Sequence, residues 1–339
     1  METVLYLSEK GQFAASELGD RVKLFDLEGY SRSLSPRNLR AAGKFARAMR
    51  SARQEMKGSR PSLAVGFGGY ASLPSMGAAL WLGVPTLIHE QNLVPGVANR
   101  LLARLVDRSA VSFMESASYL GRRAHITLTG NPLRAGFSVS VDKQAAYEHF
   151  DLEPGRRTLV VLGGSQGAAA LNQAVRDALP LFSSRDDLQL VHGVGKEKFQ
   201  DFTSGLETPS GGFTYRPFPF IERMDLLYAV ADLAVCRAGA TTLAELQASG
   251  VPSILVPYPF ATSGHQEQNA LWMERAGAAR MVKQEELNGA SLYTTVDGLL
   301  GEEAARKAMA KRARQVARPD AASRLADLAV EMSAGGSRT

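Results

Sequence analysis

Thr241, Thr242 and Glu245 stand at the start of a helical pattern that follows an apolar run, 233–236, and a polar break at Arg237-Ala238-Gly239. Leu243, Leu246 and Gln247 recur at the spacing of one helix face, and Gly250-Val251-Pro252 ends the pattern before the next apolar run at 253–256. The stretch therefore reads as one βαβ unit with a polar turn at the carboxyl end of its first strand. Open parallel sheets bind ligands at such turns, because the loops diverge there and the helix N-terminus offers unpaired N–H groups. A carboxylate one turn into that helix can accept hydrogen bonds from a diol such as a ribose. The same pattern admits a structural reading, in which Thr242 caps the helix and Glu245 complements its dipole.

A second turn of this kind, Gly163-Gly164-Ser165-Gln166-Gly167, lies between an apolar run at 159–162 and a helical stretch at 168–181. Glycine lets a backbone approach a phosphate closely, although tight strand–helix turns also use it for steric reasons. The turn is neither a dinucleotide fingerprint nor a P-loop, since no Lys-Ser or Lys-Thr pair follows. Two such turns in one half of the chain converge on a single crevice and favour a nucleotide diphosphate.

Three further polar clusters follow apolar runs. His89-Glu90-Gln91-Asn92 comes directly after a strand at 86–89, and its four polar side chains in a row favour function over a satisfied structural histidine. Gly130-Asn131-Pro132-Leu133-Arg134 follows a strand at 126–129, and Arg134 could pair with phosphate or dock onto a second domain. His265-Gln266-Glu267-Gln268-Asn269 offers one imidazole and several amides, which suit sugar hydroxyls rather than zinc. The other histidines, at 125, 149 and 192, read as structural, and no Ser-His-Asp order or G-x-S-x-G elbow is present.

Strands and helices must alternate to place these clusters. Strand candidates at 3–7, 22–27, 63–67, 86–89, 110–113 and 126–129 precede a polar, irregular stretch at 137–157. A fresh alternation then runs through 159–162, 188–192, 213–216, 233–236, 253–256 and 279–282. Alternation predicts parallel sheets covered on both faces, hence two doubly wound α/β domains at 1–140 and 141–318. A C-terminal helix at 319–339 is expected to pack back on the first domain. Residues 38–56 predict an amphipathic helix with Leu39, Ala42, Phe45, Met49, Ala52 and Met56 on one stripe. Its other faces are almost wholly basic, which fits an anionic membrane surface, with Phe45 and Met49 inserting. Charged residues make up 22% of the 339 and the net charge is +5, a balance that suits a globular protein with anionic partners. The single cysteine, Cys236, excludes a disulfide framework and a thiolate metal site. No apolar run reaches the roughly 18 residues needed to span a bilayer, and no signal-peptide pattern opens the chain.

Taken together and in order, GFGGYASLP (from Gly66), HEQN (from His89), GNPLR (from Gly130), GGSQGA (from Gly163), CRAGATTLAE (from Cys236) and HQEQNA (from His265) resemble the MurG family. Those are UDP-N-acetylglucosamine–N-acetylmuramyl-(pentapeptide) pyrophosphoryl-undecaprenol N-acetylglucosamine transferases. The resemblance implies a GT-B fold, two Rossmann-like domains facing a cleft, and an inverting, metal-free transfer of GlcNAc from UDP-GlcNAc to lipid I. It implies a peripheral protein on the cytoplasmic face of the inner membrane, without nucleic-acid partners or cofactor. Carried over by motif, the donor contacts are Asn92, Arg134, Ser165, Ile221, Gln266 and the stretch Ala240, Thr241, Thr242, Leu243, Ala244 and Glu245. Glu245 would hold the ribose, Ile221 the uracil through its backbone, Ser165 the phosphate side and Gln266 the sugar. A catalytically silent UDP-sugar-binding paralogue and a related GT-B transferase with another lipid acceptor are the competing readings.

The family opens with an apolar strand and a Gly-Gly-Thr-Gly-Gly-His loop, and Met1 falls where its second strand begins. The expectation is that the N-terminal domain lacks its first βα unit and that roughly 30 residues belong upstream. Without that loop, His89 becomes the first candidate for general base and Glu90 the second.

Overall fold

A computed structural model describes residues 4–8, 22–27, 36–121, 125–138, 141–164, 166–207 and 212–335. The chain forms two compact units, one from Met1–Gly130 with Ala321–Thr339 and the other from Asn131–Asp320.

The first unit carries strands β1 (Leu5–Ser8) and β2 (Val22–Phe25), paired in parallel. It also carries a parallel sheet in the order β3 (Ala64–Gly66), β4 (Thr86–Glu90), β5 (Arg108–Val111) and β6 (Ile126–Leu128). Successive side chains of a strand point to opposite faces, so β4 and β5 feed two cores. Ile88 and Val111 face one core, with Ala48, Ala52 and Met56 of the Pro36–Ser59 helix and Met76, Ala78 and Ala79 of the Gly69–Leu82 helix. Leu87 and Ala110 face the other, closed by Leu325 and Leu328 of the Ala321–Ala334 helix. Arg108 reaches Glu331 of that same helix at 3.3 Å.

The Pro36–Ser59 helix keeps Met49, Ala52 and Met56 of its expected stripe in the core and departs from it in its first half. Its buried line runs through Ala41, Ala48, Ala52 and Met56, while Ala42 is exposed. Met49 packs against the core, where its thioether lies 3.7 Å from the space a Cβ on Gly77 would occupy. It is therefore committed to packing and is not free to insert elsewhere. The helix turns Arg40, Arg47, Arg50 and Lys57 outwards on one side.

In the second unit β7 (Arg157–Leu162) is followed outwards by β8 (Leu188–Gly193) and β9 (Thr214–Phe218). The chain then crosses back to place β10 (Leu233–Cys236) on the other side of β7, with β11 (Ser253–Leu255) and β12 (Ala279–Met281) beyond. All five pairings are parallel. Leu159 and Val161 point into one core with Leu171, Val175, Leu179 and Phe182 of the Ala169–Phe182 helix. Val160 and Leu162 point into the opposite core with Leu243 and Leu246 of the Ala240–Ser249 helix. Both sheets are thus covered on two faces, the doubly wound arrangement expected from the alternation. The reversal of strand order between β7 and β10 creates a switch point, where a crevice must open at the strands' carboxyl ends.

Candidate functional site

At that switch point lies a cavity of about 640 Å³. Its floor comes from the ends of β7, β8 and β10, through Leu162, Gly164, Gly193, Gly195 and Arg237. The turn after β7 is pressed onto the turn after β8. A Cβ on Gly167 would sit 2.0 Å from the Val194 carbonyl oxygen, and one on Gly195 would sit 2.6 Å from the Gly167 Cα. Only glycine allows this approach, and both positions also have positive φ. Beneath them Asn172 donates to the Val194 carbonyl at 3.0 Å. Its side-chain oxygen meets His192 Nε2 at 3.2 Å, and His192 Nδ1 meets the Tyr215 hydroxyl at 2.8 Å. Burial holds His192 neutral, with its pKa pushed down to about 3. A neutral imidazole can donate from one nitrogen and accept at the other, so the network closes without a charge. Ser165 lies outside the described residues.

The Ala240–Ser249 helix presents Thr241, Thr242 and Glu245 to the cavity. Gly239 occupies the cap position and no side chain caps the helix, so Thr242 does not play the capping role. Leu243 instead enters the core with no exposed surface, and its N–H is bonded to the Gly239 carbonyl at 3.0 Å. Ala240 is buried and Ala244 half-buried; neither lines the cavity. Glu245 is half-buried and has no hydrogen-bond partner among the described residues. Burial raises its pKa to about 7, against the opposing pull of Arg134. Arg134 and Ile221 complete the rim, so five of the expected contacts, Arg134, Ile221, Thr241, Thr242 and Glu245, converge on one cavity.

Gln266 is not among the lining residues. It begins the His265–Arg275 helix, and its side-chain oxygen accepts from the Tyr258 N–H at 2.9 Å.

His89, Glu90 and Asn92 lie in the first unit, at the end of β4. The strand continues through Glu90, so both candidate bases are buried: His89 at 0% and Glu90 at 2% exposure. His89 Nε2 donates to the Gly130 carbonyl at 2.9 Å, and Nδ1 accepts from the Gln91 amide at 3.2 Å. Burial lowers its pKa, which keeps this neutral pairing. The Glu90 carboxylate accepts from Asn92 N at 2.9 Å, Asn92 Nδ2 at 3.3 Å, Gly96 N at 3.1 Å and Asn99 Nδ2 at 2.8 Å. It is an anchor for the 91–96 loop. Neither side chain presents a free acceptor to an incoming hydroxyl in this geometry.

Three charged residues at the cavity receive no role from the sequence motifs. Arg223 and Asp225 pair at 2.7 Å, which holds the Asp225 carboxyl below its ordinary range. Arg237 lines the floor, yet as a residue between a strand and a glycine it resembles a simple chain break. Its only sequence signal is position: a cation at the carboxyl end of a buried strand.

Residues 3–111 match the glycosyltransferase family 28 N-terminal domain, and residues 158–325 match the family's C-terminal domain. A UDP-N-acetylglucosamine–N-acetylmuramyl-(pentapeptide) pyrophosphoryl-undecaprenol N-acetylglucosamine transferase of Listeria monocytogenes is 39% identical over 327 residues, which cover 95% of this chain and 89% of that protein. One of the same description from Halothermothrix orenii is 37% identical over 324 residues, covering 92% and 87%. The crystal structure of Acinetobacter baumannii MurG is similar with a TM-score of 0.74 at 28% identity, over 97% of this chain and 91% of that one. These likenesses agree with the two parallel sheets in assigning the GT-B class.

Proposed function

The chain belongs to the MurG family of glycosyltransferases, and on that premise we propose that it moves GlcNAc from UDP-GlcNAc to the muramyl 4-hydroxyl of lipid I, giving lipid II for peptidoglycan synthesis. The observation that carries this reading is the cavity at the β7/β10 switch point, with Arg134 at its rim and Glu245 at its wall, unpaired among the described residues. An ionised Glu245 accepts both hydroxyls of a ribose. The Ile221 backbone faces the uracil, and Arg134 with the N-terminal turn of the Ala240–Ser249 helix meets the diphosphate.

The reaction displaces UDP by a sugar hydroxyl with inversion. Its barrier falls when the negative charge growing on the diphosphate is met by groups already in place, here Arg134 and the helix-terminal N–H groups. Asn92 is the donor contact assigned to the first unit. Glu90 and His89 act here by holding the 91–96 loop that carries it; as bases they would first have to break the bonds described above.

Peripheral attachment to the cytoplasmic face of the inner membrane forms part of the proposal, since lipid I is a membrane lipid. No helix among the described residues is long and apolar enough to cross a membrane. Arg40, Arg47, Arg50 and Lys57 offer a basic surface, and Trp81, 65% exposed beneath Arg53 at 4.7 Å, adds an aromatic one. Incubating the purified chain with labelled UDP-GlcNAc and a lipid I analogue tests the activity. A disaccharide-linked product is expected. Binding of UDP-GlcNAc without any transfer would reduce the protein to a nucleotide-sugar binder.

A further inference from the structure

Arg237 is a buried cation with 9% of its surface exposed, and no carboxylate pairs with it among the described residues. Burial lowers its pKa, as expected of a charge held without a counter-ion. Its guanidinium is held by oxygen acceptors alone. Nη1 donates to the Val256 carbonyl at 3.1 Å and to the Pro257 carbonyl at 3.2 Å, and Nη2 donates to Gln284 Oε1 at 2.6 Å. The Tyr258 ring lies 5.4 Å from the guanidinium carbon.

The Pro257 carbonyl and the Tyr258 N–H belong to one peptide plane. In a trans peptide these groups point in opposite directions, and no described peptide is cis. Arg237 therefore grips one side of the plane while the other side donates to Gln266 Oε1. That bond decides the sense of the Gln266 amide. With its oxygen spent on the backbone, its amino group, which has no partner among the described residues, is left as a pure donor. If the peptide rotated, the amide could turn over and present an acceptor instead.

We propose that Arg237 is a positioning residue that fixes, through the Pro257–Tyr258 peptide, which end of the Gln266 amide reads the donor sugar. The proposal rests on the reading of Gln266 as a sugar contact. Arg237 then governs selectivity among UDP-sugars while leaving the nucleotide's grip to Glu245. A lysine cannot replace it, because one ammonium on a flexible stem lacks the planar fork that spans three acceptors.

Calorimetry of the full chain with UDP, UDP-GlcNAc and the C4 epimer UDP-GalNAc tests this without needing turnover. The wild type is read first; equal affinity for the two epimers would refute the donor reading and the proposal with it. Given discrimination, Arg237→Lys is expected to erode the GlcNAc preference about tenfold, the worth of one oriented hydrogen bond, with UDP affinity held within about twofold. Gln266→Ala should match it, and the double variant should lose no more than either single one. Gln284→Ala, which removes one acceptor from outside the core, should shift selectivity the same way and covers the case in which Arg237→Lys fails to fold. Preserved discrimination in both Arg237→Lys and Gln284→Ala, parallel losses for UDP and UDP-GlcNAc, or additive losses in the double variant would overturn the proposal while leaving the donor reading intact.

Discussion

Glu245 supplies the sharpest test of the nucleotide site, because its ionisation and its binding role are linked. Burial holds its pKa at about 7, so near neutrality the carboxyl is close to half protonated. Only the carboxylate can accept hydrogen bonds from both ribose hydroxyls. If binding selects that form, the apparent Kd for UDP-GlcNAc should weaken about tenfold between pH 8 and pH 6, since each unit below a pKa of 7 costs a factor of ten. Arg134 favours the carboxylate, so replacing it by Gln should raise the Glu245 pKa and move the loss of affinity to higher pH. The ligand must be UDP-GlcNAc, whose diphosphate diester does not titrate in this range; UDP ends in a phosphate with a pKa near 6. Glu245→Gln keeps the shape but removes the charge. It should cost about 1.5–3 kcal/mol of affinity at pH 8, the worth of a charge-assisted hydrogen bond, and should flatten the pH dependence. Calorimetry at pH 6, 7 and 8 on both proteins gives the answer. Unchanged affinity in the variant, or the same pH slope in both proteins, would remove Glu245 from the ribose site.

Two further outcomes are expected. His192 keeps a pKa of about 3 in the folded chain against about 6.5 when unfolded, so the unfolded state binds more protons between these values and stability falls as pH drops through them. Denaturant unfolding of the wild type and His192→Gln should show their stability difference shrinking by about 2 kcal/mol between pH 7 and pH 5; a constant difference would mean that His192 is not held neutral. Sedimentation with anionic liposomes should show binding that weakens with salt and in the Arg47→Glu plus Arg50→Glu variant, since each surface cation contributes about 1 kcal/mol. Binding indifferent to both changes would exclude the basic face of the Pro36–Ser59 helix as the attachment surface.

Parallel strands covered on both faces leave a strong trace in a sequence, and the trace was readable here. The run Leu159 to Leu162 must be apolar at every position because its alternate residues enter different cores. The glycines at 163–167 were visible as a turn, but the steric reason for Gly167 lies in Val194, distant in sequence. The helix at 36–59 shows what periodicity misses. Alanine carries little hydrophobic signal, so the expected stripe takes in Ala42, which is exposed, and omits Ala41 and Ala48, which are buried. Arg237 was illegible for a related reason. Its partners are backbone carbonyls and a glutamine from other loops, and neither kind of acceptor marks a sequence.

Two glutamates near the carboxyl ends of strands show how one residue type divides between structure and function. Glu90 ends a parallel strand and Glu245 lies one turn into the helix after another, and the sequence marks each as a candidate for chemistry. Folding surrounds Glu90 with four donors from residues 92, 96 and 99, which consume its acceptor capacity and convert it into a fastener for its own loop. Among the described residues Glu245 receives no such donors, although burial penalises its charge. A buried carboxylate without partners is costly, and the cost is relieved only by protonation or by a ligand that brings donors of its own. On the proposed reading the cost of leaving Glu245 unsatisfied is recovered on binding, when a vicinal diol supplies hydrogen bonds. Glu90 has nothing to recover, so the proposed binding role belongs to Glu245, which is unpaired among the described residues.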